Sequence, residues 1–132
     1  MGDRLTIWDS ATESASASSS AKGLEVLDAL RAIADLAGRY FAEGGAVGPW
    51  RNHFEGRGLN YAQGESEMTM NMHGYERQFM HDGTSREMQR HVTIAKNHPT
   101  NCVQIYFDVD EEAERFAIGY CGSHLQTYRS TF

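Results

Sequence analysis

Residues 101–129, NCVQIYFDVDEEAERFAIGYCGSHLQTYR, constrain the fold more than any other stretch. Two runs of alternating apolar and polar residues flank an acidic turn, the pattern of a β-hairpin. Strand side chains alternate faces with period two. Val103, Ile105, Phe107 and Val109 therefore share one face, and Phe116, Ile118 and Tyr120 share one face of the second run. A four-residue loop, Asp110-Glu111-Glu112-Ala113, sets Val109 opposite Glu114 and pairs Phe107 with Phe116, Ile105 with Ile118 and Val103 with Tyr120. The same register places Asp108 across from Arg115 and Cys102 across from Cys121. Each such pair contributes roughly 0.2–1 kcal/mol, and a one-residue slip would turn the apolar side chains to the wrong face.

The rest of the chain reads as a helix and further strands. Leu24, Leu27, Leu30, Ile33, Leu36, Ala37, Tyr40 and Phe41 recur at helical spacing over residues 24–43 and form one apolar stripe. Gly44-Gly45 ends that helix. The stripe is expected to pack on a sheet, with a homodimer contact as the alternative. Residues 50–54 and 59–62 read as strands around the turn-prone Glu55-Gly56-Arg57-Gly58. Met68, Met70 and Met72 alternate with polar residues over 65–73, as in a half-buried strand whose methionines fill the core. Residues 75–80 read as another strand. Asp82-Gly83 is a turn, residues 83–88 open a short helical turn, and residues 91–95 are again a strand. The expected fold class is α+β: one main amphipathic helix packed on a mostly antiparallel sheet of about five or six strands.

Residues 10–21, SATESASASSSA, carry little apolar surface. Residues 1–22 are accordingly expected to be a flexible Ser/Ala-rich tail, and residues 23–132 a single α+β domain. At 132 residues the chain is long enough for a real core. No run approaches the ~20 apolar residues of a membrane span. The N-terminus lacks a signal peptide's apolar core, and two cysteines make no disulfide framework. A cytoplasmic protein without a membrane partner is the expectation. Twelve basic against eighteen acidic residues leave a formal net charge of −6, which disfavours general phosphate binding. The acids crowd the hairpin tip at Asp108, Asp110, Glu111, Glu112 and Glu114. Arg86, Arg90, Lys96 and Arg129 are expected away from that tip, giving a dipolar domain with RNA as a partner for its basic end.

Two constellations could carry chemistry at the hairpin's open end. His98, Cys102, Cys121 and His124 offer thiolate and imidazole donors on two short segments, a ligand set suited to tetrahedral zinc. The alternative is two thiols packing as small hydrophobes. Second, Lys96, His124, Tyr128 and Arg129 are the residue types that metal-independent RNA cleavage requires. His124 would be the base or acid, Tyr128 its partner, and Lys96 or Arg129 the cation for the phosphorane charge.

The strands Val103-Gln104-Ile105-Tyr106-Phe107 and Phe116-Ala117-Ile118-Gly119-Tyr120, followed by Gly-x-His-x-x-x-Tyr-Arg at Gly122, His124, Tyr128 and Arg129, resemble the RelE/ParE-type toxin superfamily. The resemblance covers about the last forty residues. It implies ribosome-dependent mRNA cleavage or gyrase inhibition, usually with an antitoxin partner, and it implies functional roles for His124, Tyr128 and Arg129. Those toxins tend to be basic, and Gln104 stands where they commonly carry arginine.

No P-loop, GxSxG, GxGxxG or HExxH motif occurs. The leading expectation is therefore an acidic bacterial-type protein-interaction module, an accessory, adaptor or inhibitor that engages its protein partner through Glu111 and Glu112. A toxin-like endoribonuclease and a zinc-stabilised binding domain are the alternatives.

Overall fold

The computed structural model describes residues 4–17, 23–94 and 102–127. These form an α+β fold. A five-stranded sheet in the order β1-β7-β6-β5-β2 is built from β1 (Leu5–Ile7), β2 (Asn60–Ala62), β5 (His91–Ile94), β6 (Val103–Asp110) and β7 (Arg115–Ser123). All its pairings are antiparallel except β1 with β7. A two-stranded hairpin joins β3 (Gln78–His81) to β4 (Thr84–Glu87). The helices are α1 (Asp9–Ala17), α2 (Gly23–Ala42), α3 (Trp50–Glu55) and α4 (Glu67–His73), and a 3-10 turn follows at Gly74–Arg77.

The sheet buries both faces. On one, Ala29, Ala32, Ile33, Leu36 and Ala37 of α2 pack with Phe54 of α3 against Val92, Ile105, Phe107, Phe116 and Ile118. The stripe read from the sequence meets the sheet through Ile33, Leu36 and Ala37, with Leu30, Tyr40 and Phe41 packed beside them; Ala29 and Ala32 join it, while Leu24 is exposed. Its helix stops where expected: Gly44 and Gly45 take positive φ, and the Gly45 N–H donates to Tyr40 O at 2.8 Å. On the other face Trp8, Phe79 and Met88 cover Tyr106 and Ala117.

The β6–β7 hairpin forms, but in another register. Arg115 pairs with Asp110, Phe116 with Val109 and Ile118 with Phe107, a two-residue shift that preserves the apolar face. A bulge then leaves Gly119 unpaired, so Tyr120 faces Tyr106 and Cys121 faces Ile105. A Cβ at Gly119 would stand 2.8 Å from Met88 Sδ and 2.9 Å from Phe79 Cδ2. Glycine here lets the β3–β4 hairpin lie close on the sheet. The bulge also moves Tyr120 to the Tyr106 face and Cys121 to the α2 face.

Four local expectations are corrected. Residues 50–54 are helical rather than extended, opening directly after Pro49. Residues 67–73 are helix α4, not a methionine-faced strand: Ser66 Oγ accepts the Thr69 N–H at 3.1 Å, and Gly74 follows the last turn. Thr69 and His73 turn inward, while Met68 and Met72 are 56% and 50% exposed rather than core filling. Residues 74–77 are the 3-10 turn, so the strand begins only at Gln78. Residues 84–87 are a strand, because Asp82-Gly83, both at positive φ, make a two-residue hairpin loop.

The expected tail over 1–22 gives way to structure across residues 5–17. Because β1 ends at Ile7, the outer edge of β7 runs on without a strand partner. Serines i and i+4 on α1 complete it: Ser10 Oγ donates to Gly119 O, and the Cys121 N–H donates to Ser14 Oγ at 2.9 Å. Ala11, 1% exposed, lets the helix approach. The small residues that suggested a tail serve to cap an edge strand. Replacing Ser10 and Ser14 together by alanine should cost about 1–3 kcal/mol for each polar group left unmet. Amide exchange in residues 9–17 should quicken well before that of α2. Equal protection in variant and wild type would contradict this role.

Candidate functional site

At the tip end of the sheet, α2, α3, β4 and β6 enclose an open cleft of about 690 Å³. Its apolar wall is Tyr40, Trp50 and Tyr61, and its polar rim includes Arg51, Arg86, Arg90, Asp108 and Glu111. Trp50 packs inward against Phe116 and Phe107, with ring centroids at 5.2 and 6.2 Å. The Arg90 guanidinium lies 4.3 Å above the same indole, an arrangement worth about 0.5–2 kcal/mol. Asp108 holds both arginines, Arg86 Nη2 at 3.3 Å and Arg90 Nε at 3.9 Å. Arg86 Nη1 also donates to Val109 O. Tyr40 donates its hydroxyl to Glu111 Oε1 at 2.6 Å, and that bond is the main reason its pKa is raised.

The expected charge separation is therefore corrected. Arg86 and Arg90 sit against the acidic half of the hairpin: Arg86 reaches it from β4, and Arg90, just before β5, accepts the Phe107 N–H on its carbonyl. Asp108 takes these two arginines as partners instead of Arg115, whose guanidinium donates to Leu5 O.

A second constellation lies on the sheet face opposite α2. Arg77 is fully buried, and its Nε and Nη2 both meet Glu65 Oε2 at 2.7 Å. The Tyr106 hydroxyl donates to the same oxygen at 2.6 Å. Arg77 Nη1 donates to His73 O at 3.2 Å and reaches Glu76 Oε1 at 3.4 Å. Glu76 in turn accepts the Gln126 N–H. Burial, then Glu65, pushes the Tyr106 pKa well above the ordinary phenol value. Burial pushes Tyr120 up to about 12. Tyr106 also stacks on His91, with centroids 4.5 Å apart. Both ring nitrogens of buried His73 lack a hydrogen-bond partner among the described residues.

Burial lowers the pKa of His91 below the usual imidazole value, partly offset by its contact with Gln89 O, and His53 is lowered for the same first reason. The unfolded chain takes up protons near pH ~6.5 that the folded chain refuses. Stability from these groups is therefore complete above that pH and falls as pH drops from it toward the folded values. A melting-temperature profile between about pH 7 and 5 should decline less in His91→Gln than in wild type. Parallel profiles would contradict the assignment.

Of the residues that sequence placed at the open end, only Cys102, Cys121 and His124 are among the described residues. Lys96, His98, Tyr128 and Arg129 lie outside the described residues. His124 is half-buried beyond β7, with Nδ1 2.6 Å from Leu125 O. The zinc proposal rested on Cys102 opposite Cys121. Cys121 instead faces Ile105, three positions along β6, or about 10 Å at strand rise. Burial raises the pKa of both thiols, which favours the protonated, packed form. Gln104 is buried and accepts the Leu125 N–H. Of the residues assigned to partner binding, Glu111 lines the cleft and Glu112 is exposed in the turn beside it.

Sequence reasoning missed Trp50 with its arginine and the Glu65–Arg77–Tyr106 cluster. Pro49 before Trp50-Arg51-Asn52 signals a helix start that would have turned Trp50 toward the hairpin. No sequence signal marks Arg77 as buried. Among the described residues no helix is long and apolar enough to cross a membrane. No family model matches the chain, and no curated protein or solved structure matches it.

Proposed function

We propose that this protein is an interaction module that binds a protein partner through the Trp50 cleft and the adjoining hairpin turn. The observation that carries the reading is the makeup of the cleft. Tryptophan, tyrosine and arginine surround one open concavity, and these are the residue types in which binding energy concentrates at protein interfaces. Glu111 and Glu112 at its edge supply rim charge, which governs association rate and salt dependence more than packing does. The partner segment is accordingly one that sets an apolar or aromatic side chain on the Trp50 wall and a basic group toward the turn.

The test is quantitative recovery of bound proteins from the native host by wild type and by the double variant Glu111→Lys/Glu112→Lys. A specific partner should be lost from the variant while its melting temperature stays within a few degrees, and wild-type binding should weaken as salt is raised. Equal recovery by both forms would remove Glu111 and Glu112 from the interface.

A second reading is metal-independent RNA cleavage at the open end of the β6–β7 hairpin, where His124 is half-buried just beyond β7. Its test is cleavage of single-stranded RNA, which His124→Ala should abolish with folding retained. An RNA left intact by wild type would rule it out.

A further inference from the structure

The N-terminal segment meets the β3–β4 hairpin at Asp9, His81 and Asp82, outside the cleft and outside the buried network. Asp9 is the first residue of α1, His81 the last of β3, and Asp82 the first of the hairpin loop. One ligand atom from each lies within 4.8 Å of the other two. Asp9 Oδ2 is 3.7 Å from His81 Nδ1, and Asp82 Oδ2 is 3.5 Å from His81 Nε2. These distances run to opposite ring nitrogens, so an ion at the ~2.0–2.2 Å typical of zinc, held by Nε2 beside Asp82, requires the Asp9 carboxylate to turn from the Nδ1 side and release the Asp82 N–H that it accepts. Both carboxylates can move, since their side chains are 62% and 86% exposed.

Two features separate this cluster from a set of surface acids. Its centre is an imidazole, a donor that selects transition ions over calcium or magnesium. The ring is also held in place: Trp8 stacks on it at 5.6 Å with planes 15° apart, and the Asp9 N–H lies 3.2 Å from Nδ1. We propose that Asp9, His81 and Asp82 form a binding site for a divalent first-row transition ion, which ties α1 to the β3–β4 hairpin.

In the ion-free protein Nδ1 accepts the Asp9 N–H, so the ring proton is on Nε2, facing Asp82. The ion takes the Nε2 lone pair. The ring proton moves to Nδ1 through solvent exchange, the Asp9 N–H hydrogen bond is given up, and no net proton is lost from the ring. Water fills the remaining coordination positions. Because Asp9 opens α1 while His81 and Asp82 belong to the β3–β4 hairpin, ion binding should slow amide exchange in α1.

The test is Zn²⁺ titration of the full chain by calorimetry, with the His81 ring followed by ¹⁵N NMR. The expected result is one site per chain and a change of the His81 tautomer on binding. Affinity should fall about ten- to hundredfold in His81→Ala and in Asp82→Asn. It should be unchanged in Cys102→Ser/Cys121→Ser, which separates this site from thiol ligation. Asp82→Asn guards against a folding artefact, because the residue is exposed and asparagine tolerates its φ of 49°. Zinc binding that survives both substitutions, or a His81 ring that does not respond, would overturn the proposal, as would the absence of binding by wild type.

Discussion

Glu65→Ala should destabilise the protein by about 3–5 kcal/mol, the cost of leaving a buried charge without its partner. A single oxygen, Glu65 Oε2, receives Arg77 Nε, Arg77 Nη2 and the Tyr106 hydroxyl. Removing it strands a guanidinium with no exposed surface. The remaining acceptors, His73 O at 3.2 Å and Glu76 Oε1 at 3.4 Å, are longer. The loss should be fully visible at neutral pH in denaturant unfolding. Replacing Glu65 and Arg77 together by apolar residues should cost less than Glu65→Ala alone, because a buried pair roughly offsets its own desolvation. A double variant less stable than the single would show that the pair contributes net stability beyond its neutralisation. Losing less than about 1 kcal/mol in Glu65→Ala would contradict burial of the network.

Phe107→Ala should cost a similar amount, about 3–5 kcal/mol, through lost burial and the cavity left behind. Phe107 is fully buried and touches four other rings: Trp50, Phe54, Tyr61 and Phe116. Two of these, Trp50 and Tyr61, form the wall of the cleft. The substitution therefore removes support from the face on which Arg90 stacks. Trp50 emission should shift to longer wavelength in the folded variant, and partner binding should fall more steeply than stability alone accounts for. Phe107→Leu, which keeps most of the volume, should retain both. A stable Phe107→Ala protein with unchanged emission would mean that the cleft wall is not set by the sheet.

The α+β class, the α2 stripe and the β6–β7 hairpin were legible because each rests on a long periodic pattern of large apolar residues. The hairpin's register was not, and the reason is local. Glu114 takes a positive φ, so the four-residue loop is 111–114, closed by Asp110 and Arg115, rather than 110–113. Alternation survives a two-residue shift and so cannot detect it. The Gly119 bulge depends on Phe79 and Met88 pressing from a hairpin far away in sequence. Short elements failed where packing overrode pattern. Three methionines at alternate positions read as a strand, yet one Ser66 cap and the inward pull of Thr69 and His73 make a helix of them.

The candidate site was legible only at its edge. Glu111 stood out by charge and does line the cleft. Trp50 lies about forty residues from Arg86 and Arg90, and only the fold assembles them, so no spacing links the indole to its arginine. The cysteine pairing at the open end depended on a register that the turn shifts by two residues and the bulge by one more, and it failed with it. The serines of α1 looked like low complexity because their use is geometric. They sit one helical turn apart, opposite a stretch of β7 that has no neighbour strand on that edge among the described residues.

The measurement that tests the binding reading most directly is in-cell photocrosslinking with a photoreactive residue placed at Arg51, at Glu112, or on the far side of α2 at Asp28. A single protein adduct from positions 51 and 112, absent from 28 and diminished by Glu111→Lys, is the predicted result. Adducts formed equally from position 28, or RNA rather than protein captured at 51 and 112, would contradict it.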